Sequence, residues 1–346
     1  MPVNLQIINP ITYPEWDSLL LSSENYSFFH TATWAKVLNE TYGYKPCYFT
    51  HIENKTLHVA IPFMEVKSFF TGTRGVSLPF TDYCIPVIAD YYNSQEPFTF
   101  LIEYGIKNGW NSIETRGWEL NTGNNSCSSP FYVHNLSLSS DEDSLLNSFR
   151  NSTKRNIKKA GREGVTVSID TTYESVKDFY YLNVITRKNH GLPPQPFVFF
   201  ENIFHSIMAK DHGVVIRAHF EGKCVAAAIF FHIGKKVLYK YGASDNRALH
   251  TRANYLVMWE AIKWYGKNGY TNFSFGITEP NNTGLMQFKN GWTKNIKTIY
   301  RLKYDINKKK FVPYRSHVKG LHNFFFNVLP VPILKSIGAL FYRHFG

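Results

Sequence analysis

The sequence predicts an α/β chain built from two tandem copies of one domain, each with a mixed central sheet. Two pairs of matching segments, at similar spacing, carry that expectation. CYFTHIENKTLHVAIPFMEV (47–66) and VVIRAHFEGKCVAAAIFFHI (214–233) each read as two strand-like runs joined at a polar turn, Glu-Asn-Lys or Glu-Gly-Lys. In both, the second run is almost wholly apolar, which suits a strand covered on both faces in the middle of a sheet. FLIEYGIKNGWNSIETRG (100–117) and MWEAIKWYGKNGYTNFSFG (258–276) each read as an amphipathic helix ending in Lys-Asn-Gly and an aromatic, then a short strand. Gly109 and Gly269 fit the left-handed position that closes a helix. Hairpin, helix and strand repeated in one order imply duplication of a unit with helices on the faces of its sheet.

Taken along the chain, residues 1–138 form the first copy, 139–164 a basic connecting helix, 165–306 the second copy and 307–346 an amphipathic tail. In the connector, Ser139 or Ser140 is placed to cap a helix, with Asp141, Glu142 and Asp143 in its first turn, where negative charge suits the helix dipole. Gly164 is placed to end it. At about 100° per residue, Leu146, Phe149, Thr153, Ile157 and Ala160 form one stripe, with Arg155, Lys158, Lys159 and Arg162 roughly opposite. From Arg150 to Arg162 there are six basic side chains and no acid. A solvated helix face is one reading; the clustering, without acids at i,i+4, favours an anion-binding face. In the tail, Ile333, Leu334, Ile337, Leu340 and Phe341 share a face, with Lys335 and Arg343 off it. That helix is too short to span a bilayer. It suits either the headgroup region of a membrane or the protein's own surface.

Composition narrows the class. Aromatic residues are 16% and apolar types 44% of the 346, enough for well-buried globular cores and against a disordered chain. The net charge of +12 favours polyanionic partners: nucleic acid, phosphorylated substrates or an anionic membrane face. Cys47, Cys84, Cys127 and Cys224 lie far apart without a CxxC pair, so no metal cage or disulfide framework is expected and a reducing compartment is. The N-terminus lacks the pattern of a signal peptide, and no apolar run has transmembrane length. A cytoplasmic location follows as the expectation.

Several ordered motifs resemble one family. LLNSFRNSTKRNIKKAGREGVTV, TRKNHGLPPQPF, YKYGASD, NYLVMWEAIKWYGKNGY and GLMQFKNGW, with HTATWAKVL and SLPFTDY nearer the start, are similar to the FemABX-like peptidyltransferases of the GNAT-type acyltransferase superfamily. The resemblance covers almost the whole chain. It implies two tandem GNAT-like domains, in agreement with the repeat, and amino-acid transfer from aminoacyl-tRNA to a side-chain amine of a peptidoglycan precursor. No tightly bound cofactor is implied. Members that use tRNA often carry a coiled-coil arm in the second domain, and no long heptad insertion is present here. Ordinary GNAT enzymes hold the CoA pyrophosphate on a glycine-rich turn at a helix N-terminus. The matching places, NRALHTRANYLV (246–257) and ADYYNSQEPFTF (89–100), contain no glycine. The donor stays open between aminoacyl-tRNA and an acyl-CoA or other acyl-thioester.

Under either donor an amine attacks an activated acyl group. An amine of the lysine type has a pKa near 10.4, so only about one molecule in 10³ is neutral at pH 7, and nearby cations or a proton acceptor must help. The oxyanion needs a donor. No Ser-His-Asp or Cys-His order appears. Lys289, in Gln-Phe-Lys-Asn-Gly-Trp, matches the family's late Phe-Lys motif, which implies that it faces the acceptor or the donor's terminal phosphate; Phe288 precedes it. Tyr241, Ser244 and Asp245 end a central strand, where open sheets place their ligands, and Tyr241 is a candidate oxyanion donor. Lys36, in Trp-Ala-Lys, resembles the position that binds a nucleotide-sugar or lipid-linked diphosphate. Arg187 and Arg155 are candidate phosphate ligands; Asp82, Glu279 and His190 are further candidates for proton transfer. The expected partners are a phosphorylated or lipid-linked envelope precursor, tRNA, and the inner membrane surface through the C-terminal helix. Two other readings stand: an acyl-thioester-dependent N-acyltransferase on an amino sugar in polysaccharide synthesis, and a non-catalytic RNA- or membrane-binding degenerate GNAT pair.

Overall fold

Both expected hairpins form, and each is followed by the same run of elements. The computed structural model describes residues 5–90, 95–120, 128–314 and 326–346. Cys127, the four residues before Leu5, and parts of the 89–100 segment and of the tail lie outside the described residues.

The chain begins with β1 (Gln6–Ile8), α1 (Trp16–Leu21), α2 (Ala32–Tyr42), β2 (Lys45–Glu53), β3 (Thr56–Ser68), β4 (Gly72–Val76), β5 (Val87–Ile88), α3 (Gln95–Lys107) and β6 (Ser112–Arg116). It continues through β7 (Ser129–Ser137), α4 (Glu142–Ser148), α5 (Asn151–Arg162), β8 (Thr166–Asp170), α6 (Tyr173–Asn189), α7 (Phe197–Ser206), β9 (Gly213–Phe220), β10 (Lys223–Ile233) and β11 (Lys236–Ser244). The last elements are α8 (Ala253–Lys267), β12 (Asn272–Thr278), α9 (Thr283–Lys289), β13 (Asn295–Asp305), β14 (Lys310–Val312) and α10 (Val331–Phe341).

The described residues fall into two compact units. One lies within Met1–Phe131, Thr298–Ser316 and Phe341–Gly346, the other within Tyr132–Lys297 and His317–Leu340. In the first, the strands lie in the order β1-β2-β3-β4-β6-β13. In the second the order is β8-β9-β10-β11-β12-β7. Strand for strand the two agree: antiparallel pairs up to β4 and up to β11, a parallel pair β4–β6 or β11–β12, then an antiparallel closing strand. This is a mixed α/β architecture of GNAT type, occurring twice.

The apolar second strands occupy the middle of each sheet, β3 between β2 and β4 and β10 between β9 and β11. In the first unit, Phe98 and Leu101 of α3 pack with Phe49, Ile61, Phe63 and Trp110. In the second, α5 and α8 pack on one another, and Val257, Trp259, Ile262 and Tyr265 of α8 join Ile157, Ile216, Ala228, Phe230 and Phe273. Helices α6 and α7 bring a separate aromatic group, Phe179, Phe199 and Phe200, against Tyr241 of β11. Gly109 and Gly269 take φ of 68° and 76° at the ends of α3 and α8.

The connector differs from expectation in three ways. Its N-cap is Asp141, whose Oδ1 accepts from Ser144 N at 3.0 Å; Ser139 Oγ is engaged with Asp141 N instead. The helix breaks at Phe149 and Arg150, both extended (ψ 157° and 145°), because Phe149 turns inward between Trp259 and Trp292 while Arg150 N reaches Gly291 O. Before the break the buried position is Leu145, not Leu146. After it, Thr153, Ile157 and Ala160 are buried as expected and Gly164 closes α5 at φ 81°.

Helix α10 packs a narrower face than its pattern suggested. Leu334 and Gly338 are buried, with Gly338 against the Pro194 carbonyl, while Ile333 and Leu340 are exposed. No helix among the described residues is long and apolar enough to cross a membrane.

Candidate active site

Parallel strands β11 and β12 pair at three positions, Lys236↔Asn272, Val237↔Phe273 and Leu238↔Ser274, and their pairing stops there. Beyond it β11 runs on to Ser244 and β12 to Thr278. Both strands are bent near the split. In β11, Phe230 faces Tyr239 but Ile229 faces Tyr241, so Lys240 is an extra residue. In β12 the register against β7 shifts between Ser274 and Ile277, with Gly276 at φ 67°. A bulge in each strand increases the local twist and turns the two edges apart. Parted edges direct backbone N–H and C=O groups into the gap, where an extended ligand can pair with them.

Within the first unit, the equivalent position is closed. There β4 pairs with β6 from Arg74↔Ser112 to Val76↔Glu114, and Ser77 N continues to Glu114 O at 2.8 Å. Cys84 N then reaches Arg116 O, and the buried Arg116 guanidinium donates to Leu78 O at 3.0 Å and Thr81 O at 3.3 Å. The second unit is therefore the copy with an open slot.

Three polar side chains, Lys289, Asn290 and His134, gather on the β12 side of that slot. The Lys289 ammonium, on a residue 2% exposed, donates to Gly276 O at 3.2 Å and Ile277 O at 2.8 Å, so it spans the bulge. Its neighbour Asn290 offers Oδ1 to His134 Nε2 at 2.8 Å. Because that oxygen only accepts, Nε2 carries the proton and Nδ1 is left as an acceptor. His134 is fully buried, and burial, with the Lys289 charge adding to it, holds its pKa below the ordinary value against the opposing bond to Asn290. It is thus a neutral imidazole. Its Nδ1, like Thr278 Oγ1 in the facing strand, is buried without a hydrogen-bond partner. Sequence reasoning missed His134 because a lone histidine in FYVHNLS reads as core; its link to the motif at Lys289–Asn290 spans 156 residues.

The β11 side holds Tyr241, Ser244 and Asp245. Tyr241 is half-buried with its ring 5.7 Å from Phe200 and the Lys240 ammonium 5.0 Å from its centroid. Ser244 N and O are both tied to the Thr186 hydroxyl, at 3.1 and 3.2 Å, which fixes the strand end to α6. Asp245 accepts from Arg247 N and is gripped by the Arg247 guanidinium. Those bonds, the side-chain pair first, lower its pKa, leaving an ionised carboxylate that is a weak base. Between this strand end and α8 lies a cavity of about 60 Å³, room for a few waters, lined by Ser244, Asp245, Ala248 and Tyr255. At its edge Arg252 takes the left-handed φ of 60° as N-cap of α8, a conformation normally left to glycine.

The remaining candidates lie elsewhere. Phe288 packs on the core beside Tyr255 at 5.1 Å and Trp292. Arg187 donates to Pro193 O at 3.4 Å and secures the Leu-Pro-Pro turn. His190 caps α6, its pKa lowered by burial and by Arg187. Glu279 follows β12, half-buried. Lys36 belongs to α2 in the first unit, 41% exposed and 3.6 Å from Glu40; Asp82 lies in the loop before β5. On α5, Arg155, Lys158 and Arg162 are exposed, but Lys159 does have an i,i+4 acid, Glu163 at 3.9 Å, contrary to expectation. Cys224 also has a histidine beside it, since it faces His219 across the β9–β10 hairpin and both approach Asp178. Burial pushes the Cys224 thiol up to about 11, and Arg217 already neutralises Asp178.

Residues 147–290, from the connector to Asn290, match the family model of the acetyltransferase (GNAT) domain. The crystal structure of FemX superposes with a TM-score of 0.65 at 16% identity, covering 86% of this chain and 96% of that one. The resemblance to the FemABX-like peptidyltransferases holds. A segment of 163 residues is 25% identical to a UDP-N-acetylmuramoylpentapeptide-lysine N(6)-alanyltransferase of Weissella viridescens. It is 46% of this chain and spans about half, 48%, of the length of that relative. The L-PGS of Bacillus licheniformis shares the fold at a TM-score of 0.54 and 12% identity, with 99% of each chain covered. The stretch matched as a GNAT-type acyltransferase domain contains both β11 and β12, the strands that part.

Proposed function

We propose that this chain transfers an aminoacyl group from aminoacyl-tRNA to a side-chain amine of a phosphorylated or lipid-linked cell-envelope precursor. The observation that carries this reading is the open slot between β11 and β12, present in the second unit and stitched shut in the first. The amine nitrogen attacks the ester carbonyl carbon of the donor. The tetrahedral intermediate then releases the ribose oxygen of the tRNA, which leaves with the proton given up by the amine. The product is an amide, and no redox step or metal is needed for the balance.

Backbone groups on the parted edges hold the acyl carbonyl, with Tyr241 as a side-chain donor to the oxyanion. Lys289 keeps the β12 edge in its bulged form, and His134 positions Lys289 through Asn290. Asp245 fixes the end of β11. Arg187 meets the phosphates of the acceptor, and Arg155 with its neighbours on α5 meets those of the tRNA. The alanyltransferase relative supports an amine acceptor on a nucleotide-linked muramoyl peptide. Charged tRNA as donor puts the reaction in the cytoplasm. The turn Asn246–Thr251 disfavours acyl-CoA, because it runs into a left-handed Arg252 where a glycine would let a pyrophosphate approach.

The deciding experiment supplies the purified chain with a muramoyl pentapeptide nucleotide and either labelled aminoacyl-tRNA or labelled acyl-CoA. Label passing from tRNA to the peptide amine is expected. Transfer from acyl-CoA alone would replace this reading with the amino-sugar N-acyltransferase, and transfer from neither donor would leave the binding-protein reading.

A further inference from the structure

We infer that the first unit carries a membrane-docking patch, made from the tip of the β3–β4 hairpin and the last residues of the chain, that fits an anionic bilayer surface. At the hairpin tip Phe69 is 92% and Phe70 63% exposed, the two rings 5.6 Å apart. Phe70 stacks on Phe341 at 5.9 Å and meets His344 at 5.1 Å, while Phe345, 60% exposed, stands beside Tyr342. Phe69, Phe70 and Phe341 thus form one outward group, with Phe345 exposed in the same terminal segment. The turn is secured from below, since Ser68 Oγ accepts from Phe70 N and Thr71 N, and the terminal segment is pinned by Tyr44 and Arg74 to its backbone oxygens. A rigid aromatic knob on a soluble surface signals an apolar partner.

Charge selects which partner. Lys67, its side chain 78% exposed and its ammonium 3.5 Å from the buried Glu65 carboxylate, flanks the hairpin tip, and exposed Arg343 flanks Phe341 and Phe345. Residues 66–81 contain no Asp or Glu. From Phe341 to Gly346 the charged residue is Arg343, again with no Asp or Glu. Exposed aromatic rings flanked by Lys67 and Arg343, with no acid in the hairpin tip itself or in the terminal segment, match the interface of a bilayer carrying anionic lipid, where aromatic side chains enter the headgroup boundary and lysine and arginine stay at the phosphates. The proposal is independent of the transfer reaction.

The test is co-sedimentation of the full chain with vesicles of phosphatidylcholine alone and of phosphatidylcholine mixed with phosphatidylglycerol. Binding to the anionic vesicles is expected. A double variant, Phe69→Ser with Phe70→Ser, should weaken it by about a hundredfold, since each buried phenylalanine ring is worth roughly tenfold or more. Lys67→Ala and Arg343→Ala should each weaken it roughly fivefold. All these side chains are exposed, and unchanged thermal unfolding of the variants confirms that folding is not the cause. Equal binding to both vesicle types, binding that survives the double serine variant, or self-association abolished by that variant without vesicle binding would each overturn the inference.

Discussion

Replacing Lys289 by methionine tests the candidate active site most directly, since it keeps the aliphatic stem and removes only the ammonium. That ammonium makes two charge-assisted bonds to strand carbonyls, at 2.8 and 3.2 Å, on a residue 2% exposed. Hydrogen bonds from a charged group are worth about 1.5–3 kcal/mol each, and the carbonyls left behind are set in a buried strand. Part of the loss is offset because a buried charge is also removed, so the net destabilisation should be about 3 kcal/mol. Urea unfolding of the two proteins gives this difference. Once the β12 bulge relaxes, the reacting groups shift, and a displacement of about 1 Å lowers a rate roughly a hundredfold. Transfer should therefore be assayed at a temperature and denaturant level where the variant is still folded. A loss of stability below about 0.5 kcal/mol would refute the carbonyl clamp. Full transfer in a folded variant would remove the bulge from the active site.

Other perturbations probe other parts of the chain. Gly338→Ala sets a methyl group against the Pro194 carbonyl, which cannot easily move, so α10 should lift at a cost of about 1–3 kcal/mol and become sensitive to limited trypsin cleavage after Lys335. Replacing Arg155, Lys158 and Arg162 together by alanine should reduce the salt-dependence slope of tRNA binding by about 2; an unchanged slope would make that face merely solvated. Burial lowers the His232 pKa to about 4, against its bond to Asp211 O, so the folded chain resists a proton that the unfolded chain accepts below about 6.5. Its stabilising contribution is thus complete above pH 6.5 and is lost as pH falls towards 4, about 3 kcal/mol in all. His232→Gln should flatten the acid limb of a stability–pH curve, and an unaltered limb would argue against this residue as its source.

The repeat was legible because it is written in local periods. Alternation and apolar runs mark β2–β3 and β9–β10, and Gly109 and Gly269 mark helix ends by a conformation other residues avoid. The connector was legible only in part. Several polar residues in Ser139–Asp143 suit an N-cap, and which one serves depends on the break at Phe149, set by contacts with Trp259 and Trp292. The site followed the same rule. Lys289 and the end of β11 stand in local motifs, whereas His134 acquires its meaning from Asn290, a residue distant in sequence.

The difference between the two copies is the clearest case of information that lies outside any local pattern. Both contain a parallel pair at the same place, β4–β6 and β11–β12, and both precede its second strand with a helix closed by glycine. In the first copy a buried arginine ends the strand, and Arg116 uses its guanidinium to hold two loop carbonyls, Leu78 O and Thr81 O, across the gap. In the second copy the polar group at the gap is Lys289, which arrives from a later helix and binds the carbonyls of its own strand edge, Gly276 O and Ile277 O. A cation that bridges across a gap closes it. A cation that satisfies one edge leaves the other free for a ligand. The same kind of buried ion–carbonyl interaction therefore serves structure in one copy and an open slot in the other, and the distinction rests on which side of the gap the cation comes from.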